Sequence, residues 1–225
     1  ITAFGMAPSA PPLAVFDLDG TLVDSAPDLH AALDRLMVAE ARPGFTRAEV
    51  TAMIGDGVRV LVERACAARA LPFTEARLAT FSTDYTARAA EATRLFPGIA
   101  ATLAALEGGG WRLAICTNKP VAATETLLAG LGLKGRFAAV GGGDSFPMRK
   151  PDPGHLLATI AAAGGAPQRA AMIGDHRNDV QAALGAGLPC IFAAWGYGAP
   201  AMAAGAAGIA ASPEALPGML ALLVR

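Results

Sequence analysis

Val15-Phe16-Asp17-Leu18-Asp19-Gly20-Thr21-Leu22-Val23-Asp24-Ser25 decides how the chain is read. An apolar run, Leu13–Phe16, ends on two acids one residue apart, and a glycine follows at once. Short apolar runs closed by turn residues read as buried parallel strands. The acids then stand where such a strand stops, and carboxylates gathered there repel each other unless a cation joins them. Capping of the next helix accounts for one acid but not for the pair. An EF-hand loop fails on spacing, because its sixth position needs glycine and Leu22 stands there.

The same pattern recurs outward from this stretch. Arg112–Cys116, Phe137–Val140, Ala171–Ile173 and Leu188–Ala193 read as further buried strands, with Gly208–Ala210 as a weaker sixth. Helical stretches alternate with them at Ile99–Leu106, Val121–Gly130, Gly154–Ala163 and Asn178–Leu184, and Leu216–Leu223 closes the chain. Strand alternating with helix predicts an α/β fold, a doubly wound parallel sheet of Rossmann-like type. Residues 24–95 break the rhythm. A structureless loop of that length would argue against the assignment, but the segment carries helical signals. Ser25-Ala26-Pro27 can open a helix through Ala39, and Thr46 to Glu49 fits a capping box. Residues 57–68 and 74–93 show helical periodicity. The expectation is an all-helical cap domain at 24–95, inserted into a core made of residues 1–23 and 96–225.

Composition narrows the function. The chain has 225 residues, 53% hydrophobic and 16% charged, enough for a sizeable core. A net charge of -1 offers no basic face for nucleic acid. No run of about 20 residues is apolar and free of Gly, Pro and charge, so no membrane span is expected. Cys66, Cys116 and Cys190 are odd in number and scattered. They suggest neither zinc nor a disulfide framework, and read as buried thiols in a reducing cytoplasm. The expectation is that Met6 is the natural start and Ile1–Gly5 a remnant or an extra leader, since the stretch shows no basic region of a signal peptide. The oligomeric state is left open.

The unusual polar residues fall after the strands. Asp17 and Asp19 follow the first, Thr117–Pro120 the second and Arg149–Pro153 the third, while Ile173–Asp179 ends the fourth. In an open α/β sheet, ligands bind outside the carboxyl ends of the strands, so four distant segments converge on one crevice. Four carboxylates, Asp17, Asp19, Asp175 and Asp179, call for a hard cation, and Mg²⁺ suits a site of few carboxylates completed by water and phosphate. Thr117, the backbone N–H groups after it, and Lys150 are donors for an anion. Gly20 lets backbone N–H groups approach a phosphate closely. The expected partner is a small phosphorylated metabolite.

This constellation resembles the haloacid dehalogenase superfamily of phosphatases, and within it the phosphoglycolate phosphatase group. The resemblance rests on Asp17-Leu18-Asp19-Gly20-Thr21, Thr117-Asn118, Lys150-Pro151 and Gly174-Asp175 with Asp179 four residues on, in that order over nearly the whole chain. Stretches such as "TLVDSAPDL" and "GGGDSFPMRKPDP" carry the match to the subgroup. The resemblance implies that Asp17 attacks phosphorus to form an aspartyl-phosphate. It implies that Asp19 protonates the leaving oxygen and then takes a proton from water. Mg²⁺ would be held by Asp17, the Asp19 carbonyl and Asp175, with Thr117, Asn118 and Lys150 on the phosphate oxygens. Asp179 would orient Lys150 or a water on the metal. His176 stands where relatives commonly carry serine. In the cap, Gly55-Asp56-Gly57 is either a plain helix start or a substrate contact. Arg59 is the residue expected to receive a second negative group, such as the carboxylate of 2-phosphoglycolate.

Other readings share parts of the pattern. A dehalogenase usually lacks the acid two residues after the nucleophile, which Asp19 supplies. A phosphatase acting on a sugar phosphate or pyrophosphate, or a phosphomutase, remains compatible. A phospho-accepting receiver-like module uses a similar set of acids, Thr and Lys, but carries its acceptor on a later strand and no helical insert.

Overall fold

The computed structural model describes residues 10–224, and the expectation about Ile1–Gly5 and Met6 lies outside them. Two strands open the described chain, β1 (Leu13–Phe16) and the two-residue β2 (Val23–Asp24). Four helices follow, α1 (Ala26–Ala39), α2 (Arg47–Thr51), α3 (Val58–Ala68) and α4 (Glu75–Arg88), and then β3 (Arg94–Leu95). From there helices and strands alternate: α5 (Ile99–Gly108), β4 (Arg112–Cys116), α6 (Val121–Gly130), β5 (Ala139–Gly141), α7 (Pro153–Ala162), β6 (Ala170–Gly174), α8 (Arg177–Gly185) and β7 (Cys190–Ala193). The chain closes with β8 (Gly208–Ala210) and α9 (Leu216–Leu223).

Six strands form one parallel sheet in the order β5-β4-β1-β6-β7-β8. β1 lies between β4 and β6, with Phe16 level with Ile115 on one side and Ile173 on the other. The chain runs outward from β1 through β4 and from β6 through β7 in opposite directions. That reversal opens a crevice at the strands' carboxyl ends.

The strands bury both faces by alternation. Ala14 and Phe16 point into one apolar layer with Leu103 and Leu106 of α5 and Leu216 and Leu220 of α9. Leu13 and Val15 point into the other with Leu156 and Ile160 of α7 and Val180 of α8. A side-chain period of two explains the split. Among the described residues no helix is long and apolar enough to cross a membrane.

α1–α4 lie between β2 and β3, which pair antiparallel as Val23 with Leu95 and Asp24 with Arg94. Thr46 and Glu49 form the expected capping box, Glu49 N donating to Thr46 Oγ1 at 3.2 Å and Thr46 N to Glu49 Oε2 at 2.7 Å. α1 carries Leu29, Leu33 and Met37, and α4 Phe81 and Tyr85, into the layer that also holds Ala14 and Phe16.

Several elements differ from the sequence reading. The helix expected over 74–93 stops at Arg88, because Ala92 N, Thr93 N and Thr93 Oγ1 all donate to the buried Asp28 carboxylate at 2.7–3.0 Å. α3 starts at Val58, since Gly57 caps it with a φ of 88°, outside helical geometry. β5 is Ala139–Gly141 where 137–140 was expected, and β7 begins at Cys190 where Leu188 was expected.

Asp28 thus ties α1 to the returning chain. Asp28→Ala leaves three donors without their acceptor, and unfolding in urea is expected to show a loss of about 2 kcal/mol or more, with Asp28→Asn falling between.

Candidate active site

Asp17 stands one residue past the central strand. Its Oδ1 accepts from Leu18 N at 2.7 Å and lies 3.0 Å from Lys150 Nζ. Lys150 reaches it from the loop after β5, where the Lys150-Pro151 peptide is cis, and also donates to Asp179 Oδ1 at 2.5 Å. The other oxygen of Asp179 accepts from His176 N at 3.0 Å, closing a capping box at the start of α8. Asp175 follows β6. Its Oδ1 accepts from Thr21 Oγ1 at 2.9 Å, and its Oδ2 from Tyr197 N at 2.7 Å and Gly198 N at 3.2 Å.

Carboxylate oxygens of Asp17, Asp175 and Asp179 lie within 4.8 Å of one another, all buried. Burial pushes the Asp17 carboxyl up to about 6 against the pull of Lys150. It pushes Asp175 up to about 8, where Asp17 and Asp179 add their repulsion. Burial alone would lower the Lys150 ammonium, yet Asp17 and Asp179 hold it above the usual lysine range. Asp17, Asp19, Asp175 and Asp179 face two ammonium groups, Lys119 and Lys150. With all four carboxyls ionised, four negative charges against two positive leave a surplus of two, and the raised Asp17 and Asp175 show the cost of that surplus without a cation. A surplus of two negative charges, an oxygen-only donor set and two raised carboxyls fit a hard divalent cation beside Asp17 and Asp175. Asp179 holds Lys150 with one oxygen and the start of α8 with the other.

Thr117 follows β4. Its Oγ1 accepts from Lys119 N at 3.2 Å, which leaves its own O–H to donate to an anion. Asn118 behaves differently from the expectation for a phosphate ligand. Its Nδ2 donates to Lys150 O at 2.9 Å and to Gly55 O at 3.2 Å, so the side chain clamps the lysine loop to the cap. Gly55 also accepts from Asn178 Nδ2 at 3.3 Å, and Asp56 Oδ1 accepts from the same amide at 2.7 Å. The Gly55–Gly57 turn therefore sits directly on core residues. The His176 ring packs so closely on Gly55 that a Cβ there would come within 2.8 Å of Nε2.

Above Asp17 and Asp19, the cap lies over a cavity of about 40 Å³. Thr117, Asn118 and Lys119 form its floor with the two acids, while Leu29, Ile54, Val58 and Leu61 give apolar walls. Arg59 is not brought to it. Its guanidinium is spent on Glu75, at 2.7 and 2.9 Å, on the exposed side of α3. A substrate-facing Arg59 fails because helical geometry turns its neighbour Val58 to the crevice and Arg59 away from it.

Three side chains were missed by sequence reasoning. Lys119 Nζ donates to both oxygens of Asp19, at 2.9 and 3.0 Å, and also to the Tyr85 hydroxyl. The signal for Lys119 was present, a lysine two residues after Thr117 in a strand-end loop facing acids. Tyr85 looks like any apolar position of an amphipathic helix. Tyr197 links the Asp175 site to the cap, its backbone N–H on Asp175 and its hydroxyl on Asp24 Oδ1 at 2.7 Å. His155 is fully buried, and its Nδ1 accepts from Lys150 N at 3.2 Å. Burial, and then Lys150, pull its imidazole down to about 4.

Comparison with known proteins agrees with this geometry. The chain matches the haloacid dehalogenase-like hydrolase family over residues 12–187. It belongs to that family. It is 44% identical over 190 residues to a phosphoglycolate phosphatase of Agrobacterium fabrum, covering 83% of this chain and 82% of that one. A phosphoglycolate phosphatase of Mesorhizobium japonicum is 43% identical over 190 residues, covering 83% and 84%. The crystal structure of a predicted phosphoglycolate phosphatase from Haemophilus somnus 129PT superposes with a TM-score of 0.83 at 30% identity, covering 96% and 99%. In this haloacid dehalogenase-like chain the insert α1–α4 follows the first strand and the acid Asp17 ends that strand, which sets aside a receiver-like module.

Gly20 has a φ of 85°, and a Cβ on it would fall 2.3 Å from Asp175 Oδ2. Gly20→Ala should displace that carboxylate. The expected outcome is a loss of turnover of about a hundredfold or more, with a stability change of about 1–3 kcal/mol, read from kinetics and urea unfolding of the same preparation.

Proposed function

We propose that this hydrolase is a Mg²⁺-dependent phosphatase of small phosphate monoesters, with 2-phosphoglycolate as its substrate and glycolate and phosphate as products. The observation that carries the chemistry is the Asp17 carboxylate at the end of the central strand, 3.0 Å from Lys150 and among carboxylates that call for a cation. The substrate rests on the phosphoglycolate phosphatases 43–44% identical to this chain and on the small cavity under the cap. In this reading residues 1–23 and 96–225 are the catalytic unit and 24–95 the cap. The buried, unpaired Cys66, Cys116 and Cys190 suit a reducing cytoplasm.

Asp17 Oδ attacks phosphorus, the bond from phosphorus to the ester oxygen breaks, and Asp19 delivers a proton to that oxygen as it leaves. Asp19 then takes a proton from water, whose oxygen attacks the aspartyl-phosphate and frees Asp17. Lys150, held by Asp17 and Asp179, and the Thr117 hydroxyl stabilise the equatorial oxygens where transition-state charge sits. When bound beside Asp17 and Asp175, the metal supplies Lewis-acid charge that offsets repulsion between carboxylate and phosphate. The cap's apolar walls exclude bulk water from the reacting atoms.

A screen of phosphate esters with Mg²⁺, ranked by kcat/KM, tests the proposal. 2-Phosphoglycolate should lead neutral sugar phosphates, and a sugar phosphate or pyrophosphate ahead by tenfold would overturn the substrate. Chelation should abolish turnover and Mg²⁺ restore it, while Ca²⁺ binds and supports little, since it tolerates looser geometry. Asp19→Asn should slow alkyl phosphates about a hundredfold or more, but p-nitrophenyl phosphate much less, because nitrophenolate leaves without a proton. Equal losses on both, with chemistry rate-limiting, would reject that role for Asp19.

A further inference from the structure

With Arg59 committed to Glu75 on the outside of α3, a substrate carrying a second negative group needs another cation. Among the residues lining the cavity, Lys119 is the one with a cationic side chain. Lys150 lies below, held between Asp17 and Asp179. Lys119 is itself buried and enters from the leaving-group side, with its ammonium on the Asp19 carboxylate. Tyr85, from α4 of the cap, backs it with a hydroxyl contact and presents its ring 4.6 Å from Nζ. Tyr85 is fixed in turn by stacking on Phe81, with ring centroids 5.8 Å apart.

The position of Lys119 follows the chemistry of the ester. The leaving oxygen must come to Asp19 to receive its proton. A carboxylate on the carbon next to that oxygen is then carried to the neighbour of Asp19 across the crevice floor, which is Lys119. The remaining walls, Leu29, Ile54, Val58 and Leu61, offer such a group no charge partner. A buried carboxylate without a partner would bind poorly; once Asp19 carries the proton it delivers, the Lys119 ammonium keeps its Tyr85 contact and can turn the N–H groups it gave Asp19 to the substrate carboxylate, a charge-assisted bond from a group already desolvated.

We propose that Lys119, backed by Tyr85, receives the carboxylate of the substrate and selects phosphate monoesters of short α-hydroxycarboxylic acids over neutral esters. The inference rests on the phosphatase reading of the same site and assigns its specificity to Lys119 in place of Arg59. Tyr85 acts through Lys119 as a positioning residue, so the cap contributes to selectivity by holding a core lysine.

The test is the ratio of kcat/KM for 2-phosphoglycolate to that for 2-hydroxyethyl phosphate, a neutral ester of similar size, in the full chain with Mg²⁺. The wild type should favour 2-phosphoglycolate by about tenfold or more, and Lys119→Met should lower that ratio by about tenfold to a hundredfold. Lys119→Arg should restore part of it, and Arg59→Ala should leave it in place. A merely structural role would slow both esters alike and leave the ratio unmoved, which would overturn the proposal. So would a wild type that prefers neither ester. If the wild type hydrolyses no phosphate monoester at all, the phosphatase reading falls as well. Should circular dichroism show Lys119→Met unfolded, Tyr85→Phe decides: a ratio reduced by about threefold or more supports the assignment, and an unchanged one overturns it.

Discussion

Carboxylate repulsion at the end of one buried strand is the constraint on which the rest of the structure depends. Asp17, Asp175 and Asp179 are forced within 4.8 Å by the β1–β6 pairing, in a place too dry for water to screen them. Lys150 answers part of that charge, and its own position is secured from every side. Asp179 holds its ammonium, the Asn118 amide binds its carbonyl, and the His155 imidazole accepts its backbone N–H. The neutral state of His155 suits that task, since a charged imidazole could not accept at Nδ1. The remaining negative charge is what gives a cation a reason to enter, and a cation beside Lys150 is what would then hold a phosphate against the carboxylates.

The cap is bound into the same arrangement. Its Gly55 carbonyl takes amides from Asn118 and Asn178, Tyr85 reaches Lys119, and Tyr197 bonds Asp24 of β2 while its backbone serves Asp175. These contacts end on residues close to the acids and lysines of the site, while α4 also packs on α6. The same contacts that seat the cap therefore also fix side chains of the site.

The sequence made the core legible because local and global signals agree there. Short continuous apolar runs closed by turn residues mark β1, β4 and β6, and the polar residue after each strand has no structural reason to be there other than the crevice. Four strand ends then identify Asp17, Thr117, Lys150 and Asp175 together. Legibility fails where a side chain's partner is distant in sequence. Asp28 stops α4 from 64 residues away, which no helical periodicity could announce. Tyr85 and His155 look like a core aromatic and a surface histidine until the fold brings Lys119 and Lys150 to them. Arg59 was misplaced for the same reason: nothing in its neighbourhood shows that Glu75 claims it, whereas Lys119, two residues from Thr117, could have been read from the strand-end rule alone.

The central claim is that the charge arranged around Asp17 makes it the atom that accepts the phosphoryl group. The most direct measurement is acid quenching during turnover of 2-phosphoglycolate with Mg²⁺, followed by reduction of acyl phosphates and peptide mapping by mass spectrometry. The account predicts modification on the peptide containing Asp17, at Asp17, and none in Asp17→Asn. A phosphoryl group trapped on any other residue, or turnover retained by Asp17→Asn, would contradict it.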